Sequence, residues 1–160
     1  MLRWIIKGLL SSKVFHKALE DKIGEYYKHY SLVNYRVWGD ESRVFLGKHV
    51  QVNNALFNTV SGEIRIGDYT FFGHNVSIYT GTHDYRQKNL KRQQEVPSSG
   101  RDVVIGKGVW VASNVIIVAP CNIGDNCVIG AGVVVTGNIE QNTIYTCSCE
   151  KVIKRLDCHE

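Results

Sequence analysis

Proline is almost missing from this sequence, with 2 residues in 160 against 15 glycines. That shortage excludes a stiff Pro-rich spacer, and the glycines argue for many tight turns instead. Long apolar runs are missing as well, and no stretch reaches the length needed to span a bilayer. An excess of one charge is absent too. The net charge of +4 suits a phosphorylated ligand but is far from the dense basic surface of a nucleic-acid-binding protein. What is present is ordinary for a globular chain, 44% apolar and 21% charged. The length allows one domain with a real core.

Cys121, Cys127, Cys147, Cys149 and Cys158 crowd the C-terminal third. Their number is odd, no secretory signal pattern is visible and no His/Cys spacing matches a zinc site. They are expected to be free thiols in a reducing cytoplasm. Cys147-x-Cys149 is too close for a thioredoxin-like motif. The opening stretch Met1-Leu-Arg-Trp-Ile-Ile-Lys-Gly-Leu-Leu10 intersperses Arg3 and Lys7 among apolar residues. Peripheral membrane contact through residues 1–15 is one reading of it. A terminal helix packing its Leu/Ile face on its own domain is the preferred one, because apolar helix faces usually find a core.

The main signal is a repeat. Aliphatic residues recur at every sixth position at Ile105, Val111, Ile117, Ile123, Ile129 and Val135, and the period appears upstream at Val60, Ile66, Phe72 and Ile78. Leu46 and Val52, with Val44, Val50 and Leu56, keep the spacing in another phase, and a two-residue slip near Ser61-Gly62 joins the two. A period of six is neither a helix stripe nor unbroken strand alternation. It fits short strands separated by corners and wound into a solenoid, three hexads to a triangular coil of 18 residues. Residues 18 apart then stack at the strand spacing of about 4.8 Å. The residues after the inward aliphatics form columns: Gly67, Gly106 and Gly124; Gly73, Ala112 and Gly130; Tyr79, Val118 and Thr136. Small columns read as corners, where crowding and unusual φ/ψ favour Gly. Ile64, Val76, Val103, Val109, Val115 and Val133, two before the aliphatics, complete the inward pairs.

Two segments break the period. Residues 1–40 lack it and read as an N-terminal helical or irregular cap over the first coil. Residues 84–102 are polar and basic and interrupt the regular coils of a domain spanning 41–146, so they must protrude as a loop, and such insertions are usually functional or disordered. Residues 147–160 are expected to be a C-terminal tail packing on the coil end.

Several pieces resemble the hexapeptide-repeat acyltransferases, over roughly residues 44–156. They are Ile66-Gly-Asp68, Tyr79-Thr-Gly-Thr-His83, Val104-Ile-Gly-Lys-Gly-Val-Trp-Val111, Asn122-Ile-Gly-Asp-Asn126, Ile129-Gly-Ala-Gly132 and Lys151-Val-Ile-Lys154. The nearest likeness is to the maltose, galactoside and nodulation O-acetyltransferase group and its capsule-sugar relatives, and it rests on the order and spacing of the pieces together. The resemblance implies a mainly β fold, a left-handed parallel β-helix, against the usual right-handed crossover. It also implies a homotrimer with sites between neighbouring prisms, acetyl-CoA as co-substrate and no metal. The chain departs from the family at Val118-Ala-Pro-Cys-Asn122, at Cys147-Ser-Cys-Glu150 and at Trp110-Val-Ala112, turns where the family faces the coenzyme.

By the same likeness His83 takes the position of the general base. A neutral imidazole, with an unperturbed pKa of about 6.5, is suited to drawing a proton from a hydroxyl as it attacks a thioester. The far ring nitrogen needs an acceptor, and Asp84 or a backbone carbonyl would serve. No Cys lies near His83 in the chain, which favours direct transfer over an acetyl-cysteine intermediate. Phe71, Trp110 and Val128 form an outward apolar ladder, and Ser77, Ile116 and Val134 a second, as an interface would require. Trp110 reads equally as a wall of the acceptor or pantetheine site. Family positions carry coenzyme contacts to Ser113, Ala131, Thr136, Lys151 and Lys154, the lysines as partners for phosphates. Asn54 resembles an acceptor-side Asn, with Asn53 and Asn58 as alternatives.

The expected activity is acetyl-CoA-dependent O-acetylation of a sugar or glycan hydroxyl. The rivals are N-acetylation of an amino-sugar nucleotide or a drug, and a catalytically silent β-helix scaffold. A β-helix hydratase of the carbonic anhydrase kind would need three histidines converging on zinc, and His49, His74 and His83 lack that pattern.

Overall fold

The structure, a computed structural model, describes Gly8 and residues 12–147. Helix α1 (Lys13–Val33) comes first. The chain then winds as a solenoid. One coil holds β1 (Arg36–Trp38), β2 (Val44–Leu46) and the bridge residue Gln51, and the next holds β3 (Leu56–Asn58), β4 (Ile64–Ile66) and β5 (Phe71–Phe72). After β6 (Ser77–Tyr79), a long excursion carrying helix α2 (Asn89–Gln94) precedes β7 (Val103–Ile105) and β8 (Trp110–Val111). The last coils are β9 (Ile116–Ile123) with β10 (Val128–Ile129), and β11 (Val134–Ile139) with β12 (Ile144–Tyr145). The strand pairs of these coils are parallel: β1-β3-β6-β9-β11 on one face, β2-β4-β7-β9-β11 on the second and β5-β8-β10-β12 on the third. β9 and β11 each turn a corner and serve two faces.

The 18-residue stacking holds where the repeat is regular: Ile105 pairs with Ile123, and Val111 with Ile129. The inward aliphatics fill the prism axis, with Ile64, Ile78, Ile117, Ile129 and Val135 fully buried and Ile105 almost so. Cys121 and Cys127 occupy inward places that valine or isoleucine hold elsewhere. Val44 pairs with Ile64 and Leu56 with Ser77, so the first two coils run to 20 and 21 residues, and the phase slip falls mainly in the corner at 59–63, around Ser61-Gly62. Val60, expected among the inward aliphatics, sits in that turn, and Phe57 takes the inward place opposite Ile78. The longer corner displaces the register locally, which six-residue spacing alone could not reveal.

The corners work differently from the sequence expectation in one respect. Small residues are there because of crowding: a Cβ on Gly67 would lie 2.7 Å from the Gly106 carbonyl carbon of the next coil. The left-handed backbone falls two residues later, on His49, Tyr69, Gly108, Asn126 and Asn142 in one column and on Asn75, Asn114 and Gly132 in another. Asn tolerates this region because its short polar side chain can hydrogen-bond locally. His49 and Tyr69 are the bulky exceptions, and their rings stack at 5.3 Å between centroids.

Above the first coil, Tyr35 and Val37 pack on the core, Tyr35 with its ring centroid 5.3 Å from that of Phe57. Helix α1 leaves Val14, Leu19, Ile23, Tyr26 and Tyr27 exposed. Residues 1–7 and 9–11, to which most of the expected membrane-contacting or self-packing stretch belongs, lie outside the described residues, as do 148–160 of the tail. Among the described residues no helix is long and apolar enough to cross a membrane.

Two substitutions check this architecture by urea denaturation. Ile117→Ala empties a fully buried place at the centre of the stack and is expected to cost about 2–5 kcal/mol. Gly67→Ala forces apart backbones already in contact and is expected to cost about 1–3 kcal/mol. Wild-type stability in either variant would contradict the packing described.

Candidate active site

The corner between the first and second faces is where the coils differ. It is occupied by residues 39–43, then 59–63, then 80–102, then Ala119-Pro120, and in β11 Thr136 leads directly to Gly137. The other two corners keep one length from the second coil on. Variation confined to one edge explains why the Tyr79–Val118–Thr136 column lacks small residues: it leads into corners of changing length, not into a tight bend.

The long loop is tied down at its base by two guanidinium groups. Arg101 donates through Nε to the Thr80 carbonyl (2.9 Å) and through Nη2 to the Ala119 carbonyl, while its own backbone N–H reaches Ser61 (3.1 Å). Arg43 donates to the carbonyls of Thr59 (3.2 Å) and Ser98 (3.0 Å). Thr80 is fully buried, its hydroxyl donating to the Asn58 carbonyl at 2.8 Å. The residues on either side of the excursion are thereby fixed to the rigid prism, which is what a loop needs to hold a reactive group in place.

His83 stands just beyond this anchored point and is exposed. Its Nδ1 lies 2.7 Å from the carbonyl oxygen of Arg92. A carbonyl can only accept, so Nδ1 carries the hydrogen, and in the neutral ring Nε2 then keeps its lone pair. Asp84 does not orient the ring. Its carboxylate accepts from Arg86 Nε (2.9 Å) and from the Arg86 backbone N–H (3.0 Å). The hydrogen bond from the Arg86 side chain, chiefly, holds the Asp84 carboxyl below the usual carboxylate range. Of the two acceptors the sequence left open, the backbone carbonyl is the one used.

The remaining residues singled out from the sequence separate in space. Ser113 and Ala131 share one corner column between the third and first faces, and Ser113 Oγ accepts from the His74 backbone N–H at 3.1 Å. Thr136 lies on the other side of the first face, exposed, beside the variable corner. Trp110 is half exposed on the third face, its ring stacked on Phe71 at 6.0 Å, and Val134 and Ile116 are exposed on the first face, so both apolar ladders point outward. Asn54 is buried, with Nδ2 donating to Asn75 Oδ1 and Oδ1 accepting from the Asn75 backbone N–H, both at 2.8 Å. Its amide is engaged inside a corner. Asn53 donates to the Phe72 carbonyl (2.7 Å), and Asn58 accepts from the N–H groups of Val60 and Gly81 (3.1 Å each). Lys151 and Lys154 lie outside the described residues. Arg43, Arg92 and Arg101, which organise the loop, carried no sequence signal because each works through backbone carbonyls.

Burial pushes the Cys121 thiol up to about 11, and Cys127 donates its S–H to the Glu140 carbonyl at 3.0 Å. Neither is placed as a nucleophile. Among the described residues no group of three or more His, Cys, Asp or Glu side chains could hold a metal ion.

A stacked parallel β-helix with small corner columns defines a class, and the match to known families agrees. Residues 102–137 match the family described as bacterial transferase hexapeptide (six repeats). The chain is similar to hexapeptide-repeat acetyltransferases in both its repeat and its fold. It is 34% identical to a galactoside O-acetyltransferase of Lactococcus lactis subsp. lactis over 63% of its own length and 47% of the relative's. A maltose O-acetyltransferase from Clostridium difficile 630 superposes with a TM-score of 0.60 at 33% identity, covering 76% of this chain and 64% of that one. A hexapeptide-repeat acetyltransferase from Vibrio cholerae O1 biovar eltor, solved with acetyl coenzyme A, shares the fold at a TM-score of 0.52 and 21% identity, over 86% of each chain. The chain spans about half the length of the curated relatives it matches.

The burial of Cys121 sets a checkable expectation. The thiolate is the reactive form, and a thiol titrating near 11 is ionised to about one part in a thousand at pH 8. In a variant with Cys149 and Cys158 replaced by Ser, iodoacetamide at pH 8 should label exposed Cys147 long before Cys121. Equal labelling rates in the folded protein, read by peptide mass, would show that Cys121 is accessible.

Proposed function

We propose that this protein is an acetyl-CoA-dependent O-acetyltransferase that acts on a sugar or glycan hydroxyl with His83 as general base. The observation that carries the reading is the hydrogen bond from His83 Nδ1 to the Arg92 carbonyl, which leaves Nε2 as an outward-facing proton acceptor on an anchored loop. Similarity to galactoside and maltose O-acetyltransferases supports the acetyl donor and the sugar acceptor.

In this mechanism Nε2 takes the proton from the acceptor hydroxyl as its oxygen attacks the thioester carbonyl carbon. The new C–O bond forms, the C–S bond breaks, and the proton held by His83 passes to the departing thiolate. Backbone N–H groups at a corner supply the polarity that the developing oxyanion requires. Small side chains at Ser113 and Ala131 leave backbone open to close approach by a pantetheine arm, and Thr136, Lys151 and Lys154 complete the coenzyme contacts. Trp110 offers a flat apolar wall to either substrate. Asp84 and Asn54 belong to the acceptor side, Asp84 through loop 84–102 and Asn54 by holding the corner it braces. No metal takes part.

The assembly is a homotrimer. What supports this is the exposed apolar surface of the first and third faces, Ile116, Val134, Phe71 and Trp110 among it, which a single prism leaves in water. The reading includes a cytoplasmic location and 147–160 as a tail; of the N-terminal segment 1–40, residues 36–40 already run in the first coil, because Arg36–Trp38 pairs with Leu56–Asn58.

His83→Ala should lower kcat for acetyl transfer about a hundredfold or more, the usual worth of a general base. Coenzyme A affinity should change little, because the imidazole acts on the acceptor and the transition state. Near-normal kcat in a folded variant would remove His83 from the chemistry, and a wild type that transfers acetyl to no acceptor would favour the silent scaffold. The assembly is checked by sedimentation equilibrium: the wild type should have the mass of three chains at micromolar concentration. Trp110→Glu, which sets a charge in the apolar ladder, should shift it toward the monomer. A wild-type monomer with intact activity would overturn the trimer.

A further inference from the structure

We propose that Arg92 is a positioning residue for His83, holding the loop in the one conformation that gives the imidazole its working tautomer. The inference rests on the reading of His83 as the base and adds a side chain to it.

The geometry is a closed ring of contacts. Helix α2 is short, and past Lys91, whose carbonyl accepts from the Glu95 N–H, the carbonyls of its last turn have no intrahelical donor. Arg92 carries one of them, and this carbonyl accepts from His83 Nδ1 at 2.7 Å. Left alone, a helix of this length is far below what is stable in water. The Arg92 guanidinium reaches back across the loop and donates through Nε to the Gln87 carbonyl at 2.6 Å and through Nη2 to the Tyr85 carbonyl at 2.8 Å. Tyr85 and Gln87 lie on the stretch that leaves His83. One residue thus ties the segment after His83 to the helix that turns back to it, and offers the carbonyl that His83 uses.

Chemistry explains why the residue is arginine. Charged donors to carbonyls make shorter and stronger hydrogen bonds than neutral ones. The planar fork reaches two acceptors at once, which a lysine ammonium cannot do with the same fixed geometry. The second turn device nearby, Asp84 with Arg86, shapes only residues 84–87 and cannot bring α2 back to His83. Without the guanidinium the Arg92 carbonyl drifts from Nδ1. The neutral ring then interconverts between its tautomers, and the fraction with a bare Nε2 falls.

The test compares Arg92→Ala, Arg92→Lys and His83→Gln with the wild type. Alanine is the strongest helix former, so loss of helix propensity cannot account for an effect of the first variant. Acetyl transfer is followed with acetyl-CoA and with maltose and methyl galactoside as acceptor probes. The His83 tautomer is read from imidazole ¹⁵N shifts in histidine-labelled protein, with the His83 signals assigned by their loss in His83→Gln. In the wild type Nδ1 should be protonated and Nε2 bare. Arg92→Ala should lower kcat about tenfold with the KM for acetyl-CoA within twofold, and its ¹⁵N shifts should move to a tautomer mixture. Arg92→Lys should fall between the two. Arg92→Ala with unchanged ¹⁵N shifts overturns the proposal, whatever its rate, and so does a kcat within twofold of wild type. Undiminished turnover in His83→Gln would overturn the base reading instead, and the tautomer measurement would still decide on Arg92.

Discussion

The structure depends on each coil lying on the one before it at strand spacing, with backbone pairing to backbone along the whole prism. A polypeptide can make that approach only if its corners carry no side chain toward the next coil. Gly67 against Gly106, and Gly124 against the backbone of Gln141, are two of the contacts that require this. The left-handed residues two positions later, half of them Asn, finish the bend and return the chain to an extended conformation. The inward isoleucines and valines then follow, because a strand set in this register directs alternate side chains to the axis. Hydrophobic burial supplies the driving force, but the corners decide the register in which it acts.

The same constraint determines where chemistry can be placed. Two corners cannot lengthen without disturbing the stack beyond the second coil. The third absorbs five residues, or the whole excursion 80–102, or nothing, and the strands on either side still pair. The insertion that bears His83 lies on that edge, between Thr80 and Arg101, both fixed to the prism by hydrogen bonds. A reactive side chain next to such an anchor is held by the fold at little cost to the fold. The arginines that do the anchoring act on carbonyls, whose positions are as rigid as the coils that carry them.

The apolar outer faces relate the single prism to its function. Phe71 and Trp110 stack in register because their strands do, so an outward ladder is a by-product of the same repeat that builds the core. Asn54, by contrast, faces Asn75 within a corner, and Ser113 and Ala131 are separated from the His83 loop by the width of the first face.

Much of this was legible in the sequence, because a repeat is a local pattern with a global consequence. Six-residue spacing of aliphatics determined the solenoid, the inward columns and the 18-residue stacking of Ile105 on Ile123. The Gly and Ala columns located the corners, and the loss of period located the loop. The likeness of Tyr79-Thr-Gly-Thr-His83 to its family singled out one histidine. The tertiary structure decided what no local pattern encodes. It put Phe57 and not Val60 in the core, because a corner of irregular length resets the register without changing the composition. It turned Asp84 toward Arg86 and gave His83 the Arg92 carbonyl, because a backbone acceptor belongs to every residue and only the path of the chain brings one of them to the ring.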